Sequence, residues 1–132
     1  MRIDKLDLAA LAATLRLYLS GRELEIPTIK YLAKSVEFVR KDAERLASML
    51  ERQAIVEESV CAFGGGSGPG MTVPSYRVGL QVSNPDAFGR KLRQSYPGVH
   101  GRIERGVYWL DPRTAEPDEV DRTASIVREC LG

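Results

Sequence analysis

The stretch from Val99 to Thr114, which reads VHGRIERGVYWLDPRT, constrains the fold more than any other part of this sequence. Two short runs rich in β-branched and aromatic residues, Val99–Ile103 and Val107–Asp111, flank Glu104-Arg105-Gly106. Because the glycine supplies the positive φ that a tight turn needs, the pattern predicts a β-hairpin. The large apolar side chains of its second strand must be covered by other elements, so the rest of the chain has to supply helices or strands that pack on it.

Length and composition place the chain among globular proteins. At 132 residues and 43% hydrophobic composition, it is long enough for one domain with its own core. We therefore predict a single domain over 1–132, in which two long helices (1–53) lead into a sheet portion (54–132). No apolar run of about 18 residues is available to span a membrane, and no signal-peptide core is evident, so we expect a cytoplasmic protein.

Charge and cysteine usage exclude some functional classes. A formal net charge of +1 argues against a surface dedicated to nucleic acid or membrane. Cys61 and Cys130 have no CxxC spacing, and His100 is the sole histidine, so no metal site is predicted. Reduced, buried cysteines are the expectation.

Two amphipathic helices are predicted before residue 54. In the first, Asp4 and Asp7 favour a helix N-terminus and Ser20-Gly21 ends it. Its apolar stripe is Leu8, Leu11, Leu15 and Leu19, and further apolar residues off the stripe are Leu6, Leu17 and Tyr18. A helix this apolar is expected to contact two neighbours rather than one.

The second segment, Glu25–Gln53, carries apolar residues at steps of three and four, which predicts one long helix with proline near its start. We interpret its charged faces as solvated surface. A coiled-coil partner is the alternative reading of the same spacing.

From Ala54 onward the pattern changes to strands and shorter helices. Ile55–Phe63 predicts a strand, and Tyr76–Val82 alternates like a half-buried strand. The glycine-rich run between them lacks the Lys-Ser/Thr and following helix of a phosphate-binding loop. Helices are predicted after Asn84 and after Glu116. The order indicates an α+β domain with helices packed on one face of a small, largely antiparallel sheet.

Two segments resemble one enzyme family. RIDKLDLAALAATLRLYL resembles the segment that opens the C-terminal region of bacterial L-seryl-tRNA(Sec) selenium transferases, with Ala12 departing from the usual acidic residue. The hairpin matches at Gly101, Arg102, Ile103, Gly106, Leu110, Asp111, Arg113 and Thr114. The resemblance extends over essentially the whole chain, while His100 and Arg105 depart slightly from the family pattern.

The resemblance implies the small C-terminal domain of a fold-type I pyridoxal-phosphate enzyme. Such an enzyme converts seryl-tRNA(Sec) to selenocysteinyl-tRNA(Sec) with selenophosphate, through an aminoacrylyl intermediate, and assembles as a homo-oligomeric ring of dimers. The lysine that binds pyridoxal phosphate is expected upstream, in the large domain. The chain alone is therefore expected to be inactive and to bind no pyridoxal phosphate.

Three arginines are the candidate site residues for the anionic selenium donor or another substrate anion. Arg2 matches the second of a pair of arginines near the active site of the family, and a planar guanidinium suits a phosphate-like group. Arg102 and Arg113 lie at the ends of hairpin strands. The alternatives are an exposed terminal role for Arg2 and a structural pairing of Arg113 with Asp111 or Asp118.

A second class of function remains open. The chain could be an autonomous α+β interaction or regulatory module that docks through its first helix and its hairpin. A piece of a larger enzyme should expose apolar surface around Leu6, Leu17 and Tyr18, whereas an autonomous module should cover it. Direct tRNA binding is disfavoured because basic and aromatic residues do not interleave in the sequence.

Overall fold

A computed structural model describes residues 3–50, 54–62, 70 and 72–132. The chain divides into two compact units, Met1–Lys34 and Ser35–Gly132. Across the described ranges, no helix is long and apolar enough to cross a membrane.

The first unit consists of helix α1 (Lys5–Leu19), a 3₁₀ turn (Glu23–Glu25) and helix α2 (Pro27–Ala33). The Asp4 side chain caps α1 by accepting the Lys5 N–H at 2.6 Å. Ser20 ends the helix, as predicted. Each of the fifteen residues of α1 is described, and none is buried.

The predicted long helix over Glu25–Gln53 is wrong, because the chain breaks into α2 and a separate helix α3 (Val36–Leu50). Ser35 provides the physical reason. Its hydroxyl accepts the Phe38 N–H at 3.2 Å and its carbonyl accepts the Val39 N–H at 3.1 Å, so it starts a new helix. Before it, Lys34 has a ψ of 128°, which interrupts the helical backbone. The predicted end at Gln53 lies outside the described residues.

The second unit contains a four-stranded antiparallel sheet, as predicted. Its strands are β1 (Ala54–Ala62), β2 (Thr72–Leu80), β3 (Arg102–Glu104) and β4 (Val107–Leu110), in the order β1-β2-β4-β3. Residue pairs across the ladder include Val56 with Val78 and Leu80 with Tyr108. The predicted strand end at Phe63 lies outside the described residues.

The hairpin is confirmed, with a tighter turn and a shorter first strand than predicted. Arg105 and Gly106 form a two-residue turn with φ angles of 53° and 78°. Positive φ at both positions is the geometry that matches the twist of the flanking strands. Val99 stays outside the ladder because its N–H donates to the Leu92 carbonyl at 2.8 Å. The edge strand β3 therefore begins at Arg102.

Three helices, α3, α4 (Pro85–Gln94) and α5 (Pro117–Leu131), pack on one face of the sheet. Asn84 caps α4 by accepting the Ala87 N–H at 3.0 Å, and Glu116 forms a capping box with Glu119 on α5. The main core residues are Ala43, Leu46, Leu50, Val78, Leu80, Phe88, Leu92, Tyr108, Leu110, Val120, Ala124, Ile126 and Val127. The alternate residues of β2 and β4 point to the opposite face, which none of the helices described in this unit covers.

Candidate functional site

Asp111 joins three segments at the open end of the hairpin. One carboxylate oxygen accepts the Ser75 hydroxyl at 3.2 Å and the Arg113 backbone N–H at 3.0 Å. The other accepts the Cys61 thiol at 3.1 Å. A carboxylate that accepts three hydrogen bonds ties β1 and β2 to the 3₁₀ turn Pro112–Thr114, which follows β4.

Arg113 is buried beside this carboxylate and is only 3% exposed. Its Nε donates to the Ser75 hydroxyl at 3.3 Å, and a terminal nitrogen donates to the Pro74 carbonyl. A buried guanidinium needs such partners, because an unpaired charge in the interior is costly. The Arg113 side chain thereby fastens the hairpin exit to β2.

Cys61 is half-buried next to the same carboxylate and is not disulfide-bonded. Burial and then the hydrogen bond to Asp111 raise the pKa of the Cys61 thiol to about 11. A thiol with this pKa is protonated at neutral pH, and since the thiolate is the nucleophile, Cys61 is unreactive there. Cys130 is also free and half-buried. Both cysteines are therefore reduced, as predicted, but neither is fully buried, although the sequence had predicted burial.

The three predicted arginines have different settings. Arg102 is exposed on β3 opposite Trp109, at the same end of the hairpin from which Arg113 follows. Arg113 is buried and Arg102 faces solvent, so the two guanidinium groups are not equivalent. Arg2 lies outside the described residues.

The face without helices carries a charged and aromatic cluster that the sequence reasoning missed. The Arg77 guanidinium lies 3.9 Å from the centre of the Trp109 ring and forms ion pairs of 2.6 Å with both Glu57 and Glu104. The hydrogen bond to Glu57 is the largest cause that raises the pKa of Arg77, and Arg77 in turn lowers the pKa of Glu104. Trp109 lies over Gly79, where any side chain would meet its ring.

The signal for this cluster was present but indirect. Arg77 alternates with Tyr76 and Val78, which indicates a charged residue on the second face of a strand. Its partners become visible only once Glu57 is set opposite Arg77 by the β1–β2 register. A single sequence does not provide that register.

A cleft of about 320 Å³ opens on the helix side of the hairpin. Among its lining residues are His100, Asp111, Thr114, Glu119 and Thr123. It mixes apolar and polar groups, and the part of the lining that is described includes neither Arg102 nor Arg113. The cleft therefore does not gather the predicted anion-binding residues.

No lysine of the chain offers a sequestered amine. All five are described, and all lie on helices or at a helix end: Lys5, Lys30, Lys34, Lys41 and Lys91. Four are exposed and Lys34 is half-buried, with its ammonium 5.3 Å from the Tyr31 ring centre. A covalent pyridoxal-phosphate site needs a lysine held in a pocket with its cofactor, and these positions do not fit that requirement. Among the described residues, no group of three or more metal-ligating side chains could hold a metal ion.

Comparison with known proteins adds independent information. A family model described as L-seryl-tRNA selenium transferase matches residues 1–116. Proteins named L-seryl-tRNA(Sec) selenium transferase from Maridesulfovibrio salexigens, Nitratidesulfovibrio vulgaris and Geobacter sulfurreducens are 34%, 36% and 35% identical to the chain. The alignments include 99%, 100% and 98% of this chain, but 30% of each relative. The chain thus spans about 30% of the length of these relatives.

Proposed function

Because the chain belongs to the L-seryl-tRNA selenium transferase family, we propose that it is the C-terminal domain of a selenocysteine-forming, fold-type I pyridoxal-phosphate enzyme. The whole enzyme converts seryl-tRNA(Sec) to selenocysteinyl-tRNA(Sec). Selenium from selenophosphate replaces the seryl hydroxyl through an aminoacrylyl intermediate. The names of the relatives and the match across almost the whole chain support this proposal.

The exposed apolar surface of α1 is the observation that carries the proposal. Leu6 is 77% exposed and Leu19 is 88% exposed, while Leu8, Leu11 and Leu15 are each about half exposed. A helix that leaves its stripe open is expected to pack on another part of the protein. The remaining length of the relatives offers such a part, so we assign α1 to the contact with the large domain.

We assign pyridoxal phosphate to the large domain, since the lysines of this chain do not fit a cofactor site. The chain by itself is then inactive and free of the cofactor. In the complete enzyme it joins a homo-oligomeric ring of dimers in the cytoplasm. No reaction step through the cofactor falls to a residue of this chain.

The three candidate arginines are assigned different roles. We propose that Arg2 binds the anionic selenium donor and that Arg102, which is exposed, binds a phosphate group of a substrate. Guanidinium groups suit phosphate because they donate two parallel hydrogen bonds. The contacts of Arg113 with Ser75 and Pro74 favour the structural alternative over direct substrate binding.

A chimera tests the proposal directly. The matching portion of the Geobacter sulfurreducens relative is replaced by this chain, and selenium incorporation into tRNA is measured in a strain that lacks the activity. We expect restored incorporation, which the Arg2→Ala substitution should reduce strongly and the Lys41→Ala substitution should leave unchanged. An intact, pyridoxal-phosphate-loaded chimera with no incorporation would contradict the proposal.

An autonomous interaction module is the second candidate. The same exposed surface on α1 would then serve a separate partner protein. The chimera separates the two, because an unrelated module would leave the large domain without its matching contact and the chimera without activity. The family match favours the enzyme.

A further inference from the structure

The basic side chains of the second unit are not evenly distributed. Residues 90–105 contain four arginines and one lysine but a single carboxylate, Glu104, in a chain whose net charge is only +1. The arginines are Arg90, Arg93, Arg102 and Arg105, and all four are exposed. Near-neutral overall charge therefore conceals a local basic excess.

These four arginines also differ from other arginines of the unit in their pairing. Arg40, Arg45, Arg77 and Arg122 each form an ion pair with a carboxylate. Within the described part of the chain, none of the four between residues 90 and 105 does so. Glu104 is held in an ion pair with Arg77, and Arg102 and Arg105 add a weaker electrostatic attraction to the same carboxylate. Asp86 lies one helical turn before Arg90 on α4, but no ion pair joins the two among the described residues. Their positive charge is therefore available to a partner.

The two sets of arginines reach the same edge of the sheet from its two faces, because α4 lies on the helix-covered face and Arg102 pairs with Trp109 on the other face. Helix α4, with Arg90 and Arg93, packs against β3 and β4. One edge of the Tyr108 ring lies against Gly89, where the Arg93 guanidinium is also close, and the other edge lies against Gly101, which precedes Arg102. Arg105 is at the tip of the same hairpin.

Two aromatic side chains lie in the loop that connects α4 to β3. Tyr96 is fully exposed, and His100 is exposed four residues later. An exposed tyrosine in a loop flanked by arginines without ion pairs is a combination that suits an unstacked base next to its phosphates. We name Arg90, Arg93, Tyr96, His100, Arg102 and Arg105 the edge patch.

We propose that the edge patch binds RNA, with the arginines on backbone phosphates and Tyr96 stacked on an unpaired base. This rests on the proposed function only for the identity of the RNA, which would be the tRNA substrate. The sequence alone had disfavoured RNA binding. The structure places basic and aromatic residues of α4, of the following loop and of the hairpin around one edge of the sheet.

Lys91 provides a matched control. Lys91 belongs to the same helix and is exposed, but it lines a cleft between α4 and α5, together with Cys130 and Leu131, and not the edge patch. If the positive charge of α4 as a whole attracted RNA, replacing Lys91 would weaken tRNA binding as much as replacing Arg90 or Arg93. If RNA binds specifically at the β3 edge, replacing Lys91 should leave tRNA binding nearly unchanged.

The first experiment measures binding of fluorescein-labelled, unacylated tRNA to the full 132-residue chain by anisotropy between 50 and 200 mM salt. We expect the Arg90→Ala/Arg93→Ala/Arg105→Ala variant to bind at least about 10-fold more weakly and to lose about two to three units of salt-dependence slope. The Lys91→Ala variant should bind within about twofold of the wild type. Tyr96→Ala should weaken binding about fivefold or more, while Tyr96→Phe should keep it.

Three results would overturn the edge patch. These are no measurable tRNA binding by the wild-type chain, equal losses for the triple variant and Lys91→Ala, or unchanged binding of the triple variant. Unchanged binding together with new self-association would instead assign the arginines to protecting the exposed edge of β3 from other strands.

The chimera separates this inference from the proposed function. In an active chimera, we expect the triple variant to raise the KM for seryl-tRNA about 10-fold while kcat changes little, because the patch binds RNA away from the reacting atoms. An active chimera whose KM is insensitive to the triple variant would contradict the edge patch alone. An inactive chimera together with patch-dependent tRNA binding would contradict the enzyme assignment alone.

Discussion

Helices α1 and α3 have the same length and both carry an apolar stripe, yet they differ completely in burial. Each has fifteen residues. Helix α3 buries Val39, Asp42, Ala43, Leu46 and Leu50 among the sheet and α5, whereas α1 buries none of its residues. Periodic apolar residues specify that a helix forms, but they do not specify where its partner is. In α3 the partner is in the same unit, and for α1 we propose that it is in the rest of the enzyme.

Shortening one leucine in each helix should have very different effects on stability. Leu46 is 2% exposed in the core, so Leu46→Ala should lower the free energy of unfolding by about 2–5 kcal/mol. Leu15 is 51% exposed, and Leu15→Ala should change the free energy of unfolding by less than about 0.5 kcal/mol. Urea unfolding of the 132-residue chain measures both values. Equal losses would mean that α1 is buried within this chain.

Removing the buried guanidinium tests whether polar contacts stabilise the hairpin end as apolar contacts stabilise α3. Arg113→Ala should cost about 1–3 kcal/mol, because it leaves the Pro74 carbonyl and the Ser75 hydroxyl without their donor. Arg122→Ala is the control, since Arg122 is exposed and its contact with Asp118 is 3.9 Å long. If Arg113→Ala left the stability unchanged but abolished activity in the chimera, the structural role would be contradicted and Arg113 would be assigned to substrate binding.

Ser35 determines where α3 starts as a helix separate from α2. Ser35→Ala removes the hydroxyl that accepts the Phe38 N–H and should cost about 0.5–2 kcal/mol. Ser48→Ala is the control, because the Ser48 hydroxyl only donates to the Arg45 carbonyl inside the helix. If Ser35→Ala stabilised the chain, the two helices would behave as one continuous helix, as the sequence had predicted.

The smallest effect is a change with pH at Cys61. An unfolded thiol has a pKa of about 8.5, whereas the folded Cys61 has a pKa of about 11. Between these values the folded state keeps a proton that the unfolded state has released, so this contribution to stability is present below pH 8.5 and is lost as the pH rises through about 11. The difference in unfolding free energy between the wild type and Cys61→Ser should change in that window.

The difference in absorbance near 240 nm between the Cys130→Ser protein and the Cys61→Ser/Cys130→Ser protein gives the pKa of Cys61 itself, because the subtraction removes the ionisation of the five tyrosines. We expect the absorbance to rise near pH 11. A rise near pH 8.5 would show that neither burial nor the Asp111 contact acts on this thiol.

The sequence was sufficient wherever the determining contacts are local. The cap at Asn84 and the turn at Gly106 each depend on residues within four positions, and both were predicted. At Glu116 the sequence predicted the helix start but not the capping box with Glu119. The break at Ser35 was missed because unbroken apolar spacing outweighed one serine that can cap a helix. In the structure, the serine cap ends the continuity of the helix although the apolar spacing continues across it.

Contacts between segments that are distant along the chain could not be predicted from the single sequence. The hydrogen bonds of Asp111 join residues 36 and 50 positions away, and the Arg77–Trp109 stack depends on the strand order β2-β4. Arg102 is exposed, and its binding role stays a prediction. Arg113 is buried with structural contacts, but its guanidinium donates to Ser75 and Pro74 instead of the predicted Asp111 or Asp118, and only its backbone N–H reaches Asp111.

Hydrogen–deuterium exchange of α1 shows whether the rest of the enzyme covers this helix. The amides of α1 are followed in the 132-residue chain and in the chimera with the large domain, with the amides of α3 as the internal reference. We expect rapid exchange in α1 of the isolated chain, strong protection of α1 in the chimera, and little difference for α3. Equal protection of α1 in both proteins would contradict the claim that the rest of the enzyme completes this helix.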